Sequence, residues 1–153
     1  MQVLFFFGTL TMATVDKIMT RKVVSIDMDD TLKDIREIFE HAIFHHVLVL
    51  ENKKLVGVIS DRDLLKAISP YANTLSERPR DAATLKKRAH QIMTRKPITI
   101  AANSDILAAI RLFVDEKISC LPVLNNDGSV AGILTWRDIL KATATIIEKV
   151  QKA

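Results

Sequence analysis

Gly57-Val58-Ile59-Ser60-Asp61-Arg62-Asp63-Leu64-Leu65-Lys66-Ala67 and Gly132-Ile133-Leu134-Thr135-Trp136-Arg137-Asp138-Ile139-Leu140-Lys141-Ala142 are one pattern met twice, at an offset of 75 residues. Each copy opens on a glycine and two apolar residues, passes a Ser or Thr, and runs through Arg-Asp into helically spaced apolar positions. That is a strand, a junction and a helix. Upstream, Ile18-Met19-Thr20-Arg21-Lys22 returns as Ile92-Met93-Thr94-Arg95-Lys96, and Val49-Leu50 as Val123-Leu124, at an offset of 74. The extra residue falls where Asn52-Lys53-Lys54 faces Asn126-Asp127-Gly128-Ser129. Turns tolerate insertions, so the change of register supports the alignment. The chain is an internal duplication.

Each copy reads as β-α-β-β-α. A short strand is expected over residues 23–26 and 98–100. An amphipathic helix follows, with Leu32, Ile35, Ile38, Phe39 and Ile43 on one face, and Ile106, Ala109, Ile110, Phe113 and Val114 in the second copy. Asp30 and Ser104 stand where N-caps are wanted. Two continuously apolar strands follow, over 47–50 and 55–59, then 121–124 and 130–134, and such strands are covered on both faces. Second helices begin at Ser60 and Thr135. Residues 69–81, with Pro70 and Pro79, read as a loop, and residues 84–93 as a helix entering the second copy. The expected fold class is α+β, two β-α-β-β-α repeats packed about a pseudo-two-fold axis. Residues 12–69 form the first repeat, 70–84 a linker and 85–153 the second repeat. One copy alone, at about 55–60 residues, is marginal for independent stability.

The 153 residues are 48% hydrophobic and 26% charged, which is apolar enough to exclude disorder. A single cysteine, Cys120, excludes a disulfide scaffold and a C-x-x-C metal or redox motif. No run approaches the roughly 18–20 apolar residues of a membrane span. The first basic residue is Lys17, so a secretory n-region is missing. Residues 1–11 read as an appended or upstream-translated leader, with Met12 as a natural start. Phe5, Phe6 and Phe7 are either a poorly specified stretch or a docking point for a partner subunit. A cytoplasmic protein with no membrane partner is expected. The net charge of +4 favours anionic partners. The densest basic group, Arg78, Arg80, Lys86, Lys87 and Arg88, reads as a solvated linker and helix face, with a phosphate patch as the alternative.

Ser or Thr followed three residues later by Asp resembles a capping box, in which the hydroxyl accepts from the helix and the carboxylate reaches back. The same atoms also suit a ligand. A helix start presents unpaired N–H groups that attract phosphate. Arg62 and Arg137 add planar cationic forks. Asp63 and Asp138 can each accept from both hydroxyls of a ribose. Gly57 and Gly132 clear space for a ligand or for a partner backbone. Capping explains the hydroxyl and the carboxylate, and leaves Arg and Gly over.

The two Ile-Met-Thr-Arg-Lys openings, Leu121-Pro122-Val123 and the two Gly-h-h-[Ser/Thr]-x-Arg-Asp junctions together resemble tandem cystathionine-β-synthase (CBS) domains, the Bateman module. The resemblance spans about residues 15–149, as a stand-alone pair. It implies regulatory binding of adenine nucleotides or related adenosyl compounds (AMP, ADP, ATP, NAD or S-adenosylmethionine) between the repeats, with AMP or ATP expected first. No cofactor is required. In the family pattern one cleft joins Thr135, Arg137 and Asp138 to Lys22, Val23, Val24, His45 and His46. The other joins Ser60, Arg62 and Asp63 to Lys96, Pro97, Ile98, Ser119 and Cys120. A helix-mediated homodimer and an unnamed regulated partner protein are also implied.

The clefts differ. His45 and His46 donate to phosphate and gain charge in acid, where Ser119 and Cys120 do not. The Thr135/Asp138 cleft is therefore expected to hold the more phosphorylated ligand, or to hold it more tightly. Against this, neighbouring strand residues point to opposite faces, so at most one of the two histidines reaches a ligand. That adjacency also makes them a poor metal pair, and His41 and His90 read as surface residues. Trp136, opposite Asp61, either fills an interface or packs locally, or else stacks on a base. Cys120 reads as a buried small hydrophobe. No catalytic residues and no metal ligands are expected: the sequence has no Ser-His-Asp order, metal cluster or glycine-rich phosphate loop. The competing reading is a ligand-free interaction or dimerisation domain, or a nucleic-acid-binding one. No recognised nucleic-acid motif supports the latter.

Overall fold

A computed structural model describes residues 13–152. The leader assigned to residues 1–11 lies outside them. The described chain divides into two compact units, one of residues 24–97 and one of residues 98–152 together with 13–23.

In the first unit, β1 (Ser25–Asp27) runs parallel to β2 (His46–Glu51). β2 is antiparallel to β3 (Lys54–Ser60), and β3 to the short β4 (Thr94–Arg95). The helices are α1 (Leu32–Glu40), α2 (Asp61–Ala67) and α3 (Pro79–Thr84). In the second unit, β5 (Ile100–Ala101) is parallel to β6 (Cys120–Leu124), which is antiparallel to β7 (Val130–Thr135). α4 (Ile106–Asp115) and α5 (Trp136–Gln151) complete it. The β-α-β-β-α order is present in both. Val47, Leu48 and Val49 are buried in succession, as are Leu121, Pro122 and Val123, so both faces of each central strand are covered. The β2–β3 turn places Asn52 and Lys53 at φ 49° and 64°, the left-handed pair of a two-residue hairpin. Its counterpart uses Gly128 at φ 81° and an Asp127 carboxylate accepting from Ser129 N at 2.9 Å, which accommodates the extra residue.

The compact units do not follow the sequence repeats. The opening of the first repeat folds onto the second repeat, and the opening of the second folds onto the first. Val15 and Met19 lie in a core with Ile100, Ala109, Leu121, Val123 and Leu134. Val15 N donates to Ser104 O and Asp16 N to Ala102 O, both at 2.9 Å. Thr20 and Ile133 exchange both backbone bonds at 2.9 Å. In the other unit, Ala89 and Met93 enter a core with Ile26, Leu32, Ile35, Val47, Val49, Ile59 and Leu64. Leu32 N donates to Lys87 O, and Ala89 N to Asp30 O, at 2.9 Å. In each opening the motif arginine ties its own turn: Arg21 donates to Asp16 O and Arg95 to His90 O, both at 2.9 Å.

Several expectations are corrected. The first strands begin at Ser25 and Ile100, two residues later than read. The N-caps are Thr31 and Asp105 rather than Asp30 and Ser104, because Thr31 accepts from Asp34 N while the Asp30 carboxylate is taken by Asp27 N at 2.8 Å. Helix α1 stops at Glu40, which leaves Ile43 96% exposed instead of on the core face. Val114 is also exposed, and Leu112 packs on the core beside Phe113. The helix expected over 84–93 is absent. Pro79 starts α3 earlier, at a position where its missing N–H costs nothing, and a 3-10 turn at Ala89–Gln91 follows. The expected loop holds Asp81, the only buried charged residue among those described. Ser69 Oγ donates to it at 2.7 Å and Arg78 N at 2.9 Å. The serine hydrogen bond holds its carboxyl below the usual carboxylate range.

Candidate functional site

The two repeated junctions have the same local geometry. Ser60 is extended at φ −95°, and caps α2 by accepting from Asp63 N at 3.2 Å. Asp63 Oδ2 receives Ser60 N at 2.9 Å and Ser60 Oγ at 2.6 Å. At α5, Asp138 Oδ2 receives Thr135 N at 2.8 Å and Thr135 Oγ1 at 2.6 Å. Both are complete capping boxes. A third box, Thr31 with Asp34, caps α1 with the same 2.6 Å hydroxyl contact and has neither the preceding glycine nor the arginine. The box alone therefore does not mark a binding site.

The glycines also belong to the fold. A Cβ on Gly132 would lie 2.6 Å from Thr20 O and 3.0 Å from Met19 Sδ; one on Gly57 would lie 2.5 Å from Met93 Sδ. The space they clear is filled by the Ile-Met-Thr openings. The arginines are different. Arg62 and Arg137 are exposed and make no hydrogen bond or ion pair among the described residues. Arg21, Arg36, Arg88 and Arg95 all do, while Arg80 and Arg111 are likewise exposed and unbonded but do not recur at matching positions of the two copies. Of the four repeated features, only the arginine is left without a structural role.

Within the first-repeat unit, the Ser60–Asp63 junction shares a sheet with β4, after which Lys96 turns left-handed at φ 48° with its N–H toward Val56 O at 3.4 Å. Pro97 closes that unit, and Val24 accepts from Leu48 N at 3.2 Å. His46 pairs with Ser60 across the β2–β3 ladder. His45 Nδ1 lies 2.8 Å from Asp61 Oδ2, and Asp61 N donates to His45 O at 3.0 Å. In the second-repeat unit, Thr135, Arg137 and Asp138 share a unit with Lys22, Val23 and Ile98, and Cys120 pairs with Thr135 beside an exposed Ser119. So Thr135–Asp138 keeps company with Lys22 and Val23, and Ser60–Asp63 with Lys96 and Pro97. The histidines stand beside Ser60, and Ser119 and Cys120 beside Thr135.

Cys120 is buried and His41 exposed. His90 is half-buried, its Nδ1 bonded to Met28 O at 3.1 Å. His45, in the bend before β2, is exposed, and His46, the first residue of β2, is half-buried. Burial pushes the His46 imidazole below its ordinary 6.5, and the neighbouring Asp61 opposes that shift. The folded chain then holds fewer protons there than the unfolded one. Stability is full above about pH 6.5 and declines as pH falls toward the folded-state value. The lowered carboxylates Asp16, Asp34, Asp81 and Asp127 act below their ordinary 3.8, in a separate window. Thermal midpoints taken from about pH 7 to about pH 5 should fall in the native chain and fall less in His46→Gln. Equal slopes would assign the decline to other groups.

Among the described residues no helix is long and apolar enough to cross a membrane, and no group of three or more His, Cys, Asp or Glu is placed to hold a metal ion. The CBS domain family matches residues 15–70 and 89–145. This chain belongs to the CBS domain family. Among relatives of this CBS pair, a CBS domain-containing protein of Dictyostelium discoideum is 30% identical over 138 residues, covering 89% of this chain and 94% of its own. An uncharacterized protein of Methanopyrus kandleri is 30% identical over 145 residues, 91% of this chain and 69% of its own. A homoserine O-acetyltransferase of Methanobrevibacter ruminantium is 32% identical over 127 residues, but they are only 23% of that enzyme. Among solved structures, CBSX2 in complex with AMP has a TM-score of 0.71 at 26% identity, covering 87% of this chain and 97% of that one. The CBS domain pair of protein MJ0100, in complex with 5'-methylthioadenosine and S-adenosyl-L-methionine, has a TM-score of 0.72 at 23% identity, over 88% and 98%, and shares the fold.

Proposed function

We propose that this CBS pair is a cytoplasmic regulatory sensor that binds an adenosine-containing small molecule, AMP or ATP first among them, and has no catalysis of its own. The observation that carries the reading is the pair of exposed arginines, Arg62 and Arg137, at matching positions with no partner among the described residues. The fold explains the repeated hydroxyl, carboxylate and glycine without a ligand, and it does not explain the guanidinium. A planar fork beside a helix start suits phosphate. In both boxes only Oδ2 of the aspartate is engaged, and Oδ1 makes no hydrogen bond among the described residues, which suits a ribose diol. The AMP carried by CBSX2 supports the same ligand class.

The family pattern assigns one pocket to Thr135, Arg137, Asp138, Lys22, Val23, Val24, His45 and His46. It assigns the other to Ser60, Arg62, Asp63, Lys96, Pro97, Ile98, Ser119 and Cys120. A homodimer fits the apolar residues that α5 leaves in solvent at helical spacing, Trp136, Leu140, Ile147 and Val150. A partner protein then reads the change in population that the ligand's differential affinity produces.

A thermal-shift series with AMP, ADP, ATP, NAD and S-adenosylmethionine tests this. A ligand at 100 times its dissociation constant stabilises by about 2.7 kcal/mol, a rise of roughly 5–10 °C for a chain of this size. Arg137→Ala and Arg62→Ala should leave the ligand-free midpoint within about 2 °C, because both side chains are exposed, and should weaken binding about ten-fold or more. Unchanged ligand shifts in both variants, or no shift with any of the five compounds, would return the junctions to helix capping alone.

A further inference from the structure

We infer that the outward faces of α4 and α5 are the surface through which two copies of this chain associate, and that the association is confined to the second-repeat unit. The inference rests on the homodimer reading, adds the surface that forms it, and holds whether or not an adenosyl compound binds.

The two repeats bury matching helix faces and expose different ones. Residues 33–40 of α1 carry five charged side chains, Lys33, Asp34, Arg36, Glu37 and Glu40, and Arg36 pairs with Glu40 at 2.6 Å. At the aligned positions 107–114, α4 carries one, Arg111, and leaves Leu107 and Val114 40% and 68% exposed. A helix that is apolar nearly all round is one whose outer side is covered too.

α5 packs against α4 and continues that surface. Trp136, Leu140, Thr143, Ile147 and Val150 follow one another at spacings of four and three, the period that lets like helices interlock. The four apolar members of this stripe are between 44% and 56% exposed. At about 100° of helix per residue, Asp138, Lys141, Glu148 and Lys149 fall outside the stripe, so two identical stripes meet with no like charges opposed. Thr143 is its one polar member. The Thr143 hydroxyl already donates to Ile139 O at 2.9 Å, so covering it strands no donor. The exposed parts of the six apolar residues amount to on the order of 500 Å² per copy, which with a polar rim reaches the roughly 800 Å² per partner of a standard interface. A two-fold pairing uses this one face twice and needs no second surface.

The first-repeat unit has no matching face. Its α2 ends at Ala67, too short to carry the stripe beyond one turn. Asp61 stands where α5 has Trp136, and Leu65, the counterpart of Leu140, is exposed alone beside Arg62 and Lys66. The other large apolar residues exposed in that unit, Ile43, Tyr71 and Leu75, lie in loops and turns.

Sedimentation velocity on the ligand-free chain tests the assignment. The native chain should be dimeric at about 100 μM. Ile147→Glu and Val114→Glu should each raise the dimer dissociation constant about a hundred-fold or more, because a two-fold face buries the added carboxylate twice. Leu65→Glu should change it less than about two-fold. All three sites are exposed, so thermal midpoints taken where every variant is monomeric should stay within about 2 °C of the native value. Hydrogen exchange needs no variant. On dilution through the dissociation range, amides of Ile106–Asp115 and Trp136–Gln151 should lose protection while those of Leu32–Glu40 keep it. A monomeric native chain, a dimer that survives Ile147→Glu or Val114→Glu, a dimer broken by Leu65→Glu, or protection lost in Leu32–Glu40 instead each overturns the assignment. If the dimer behaves as expected and none of the five adenosyl compounds shifts the midpoint, the sensor reading fails alone.

Discussion

Gly132→Ala lowers the stability of the folded chain by about 3 kcal/mol, the upper part of the range for forced overpacking. The new methyl would sit 2.6 Å from the Thr20 carbonyl oxygen, which accepts from Ile133 N at 2.9 Å while Thr20 N donates back to Ile133 O at 2.9 Å. Neither side can yield without breaking that pair. Gly57→Ala is the control. Its nearest neighbour is the Met93 sulfur at 2.5 Å, the flexible part of an unbranched side chain that can change rotamer. A loss of about 1 kcal/mol is expected there. Thermal unfolding separates the two, since about 3 kcal/mol moves the midpoint by roughly 6–12 °C for a chain of this length. Equal losses in the two variants would mean that the Thr20 backbone gives way as easily as a methionine.

Val15→Asp should destabilise the second repeat and spare the first. Val15 is fully buried among residues of β5, β6, β7 and α4, although in sequence it opens the first repeat. An unpaired carboxylate there has no partner and no water, at a cost of about 4 kcal/mol. Hydrogen exchange locates the damage. Amides of Cys120–Leu124 and Val130–Thr135 should lose protection, while those of His46–Glu51 and Lys54–Ser60 keep it. Protection lost first in the latter two strands would place Val15 with its sequence neighbours.

The contrast between these variants shows what the sequence makes legible. Alternation and helical spacing reveal β-α-β-β-α in each copy, because those periods reflect which faces are covered. The capping boxes at Ser60 and Thr135 are equally readable, since all their members lie within three residues. The partner of each opening is not readable. Both copies carry the same Ile-Met-Thr and the same receiving glycine, so the pattern is identical whether an opening docks on its own repeat or on the other. Residues 84–93 mislead for a related reason. Leu85, Ala89, Ile92 and Met93 recur at helical spacing, yet the C-cap of α3, a 3-10 turn and the bend after it bury Leu85, Ala89 and Met93 as well as a helix would. Ile43 is four residues beyond Phe39, but the helix that would carry it to the core ends first. At the site, sequence singles out the arginines, whereas the contact between His45 and Asp61 joins residues 16 apart and needs the fold to be seen.

The exchanged openings also decide how this chain can be taken apart. A cut between the sequence repeats would give each fragment the edge segment that belongs to the other, and neither would hold its own core. The seams of the molecule lie instead after Val23 and after Pro97. A circular permutant beginning at Ile98, with the old ends bridged by a flexible linker, would write each compact unit as one uninterrupted stretch of chain.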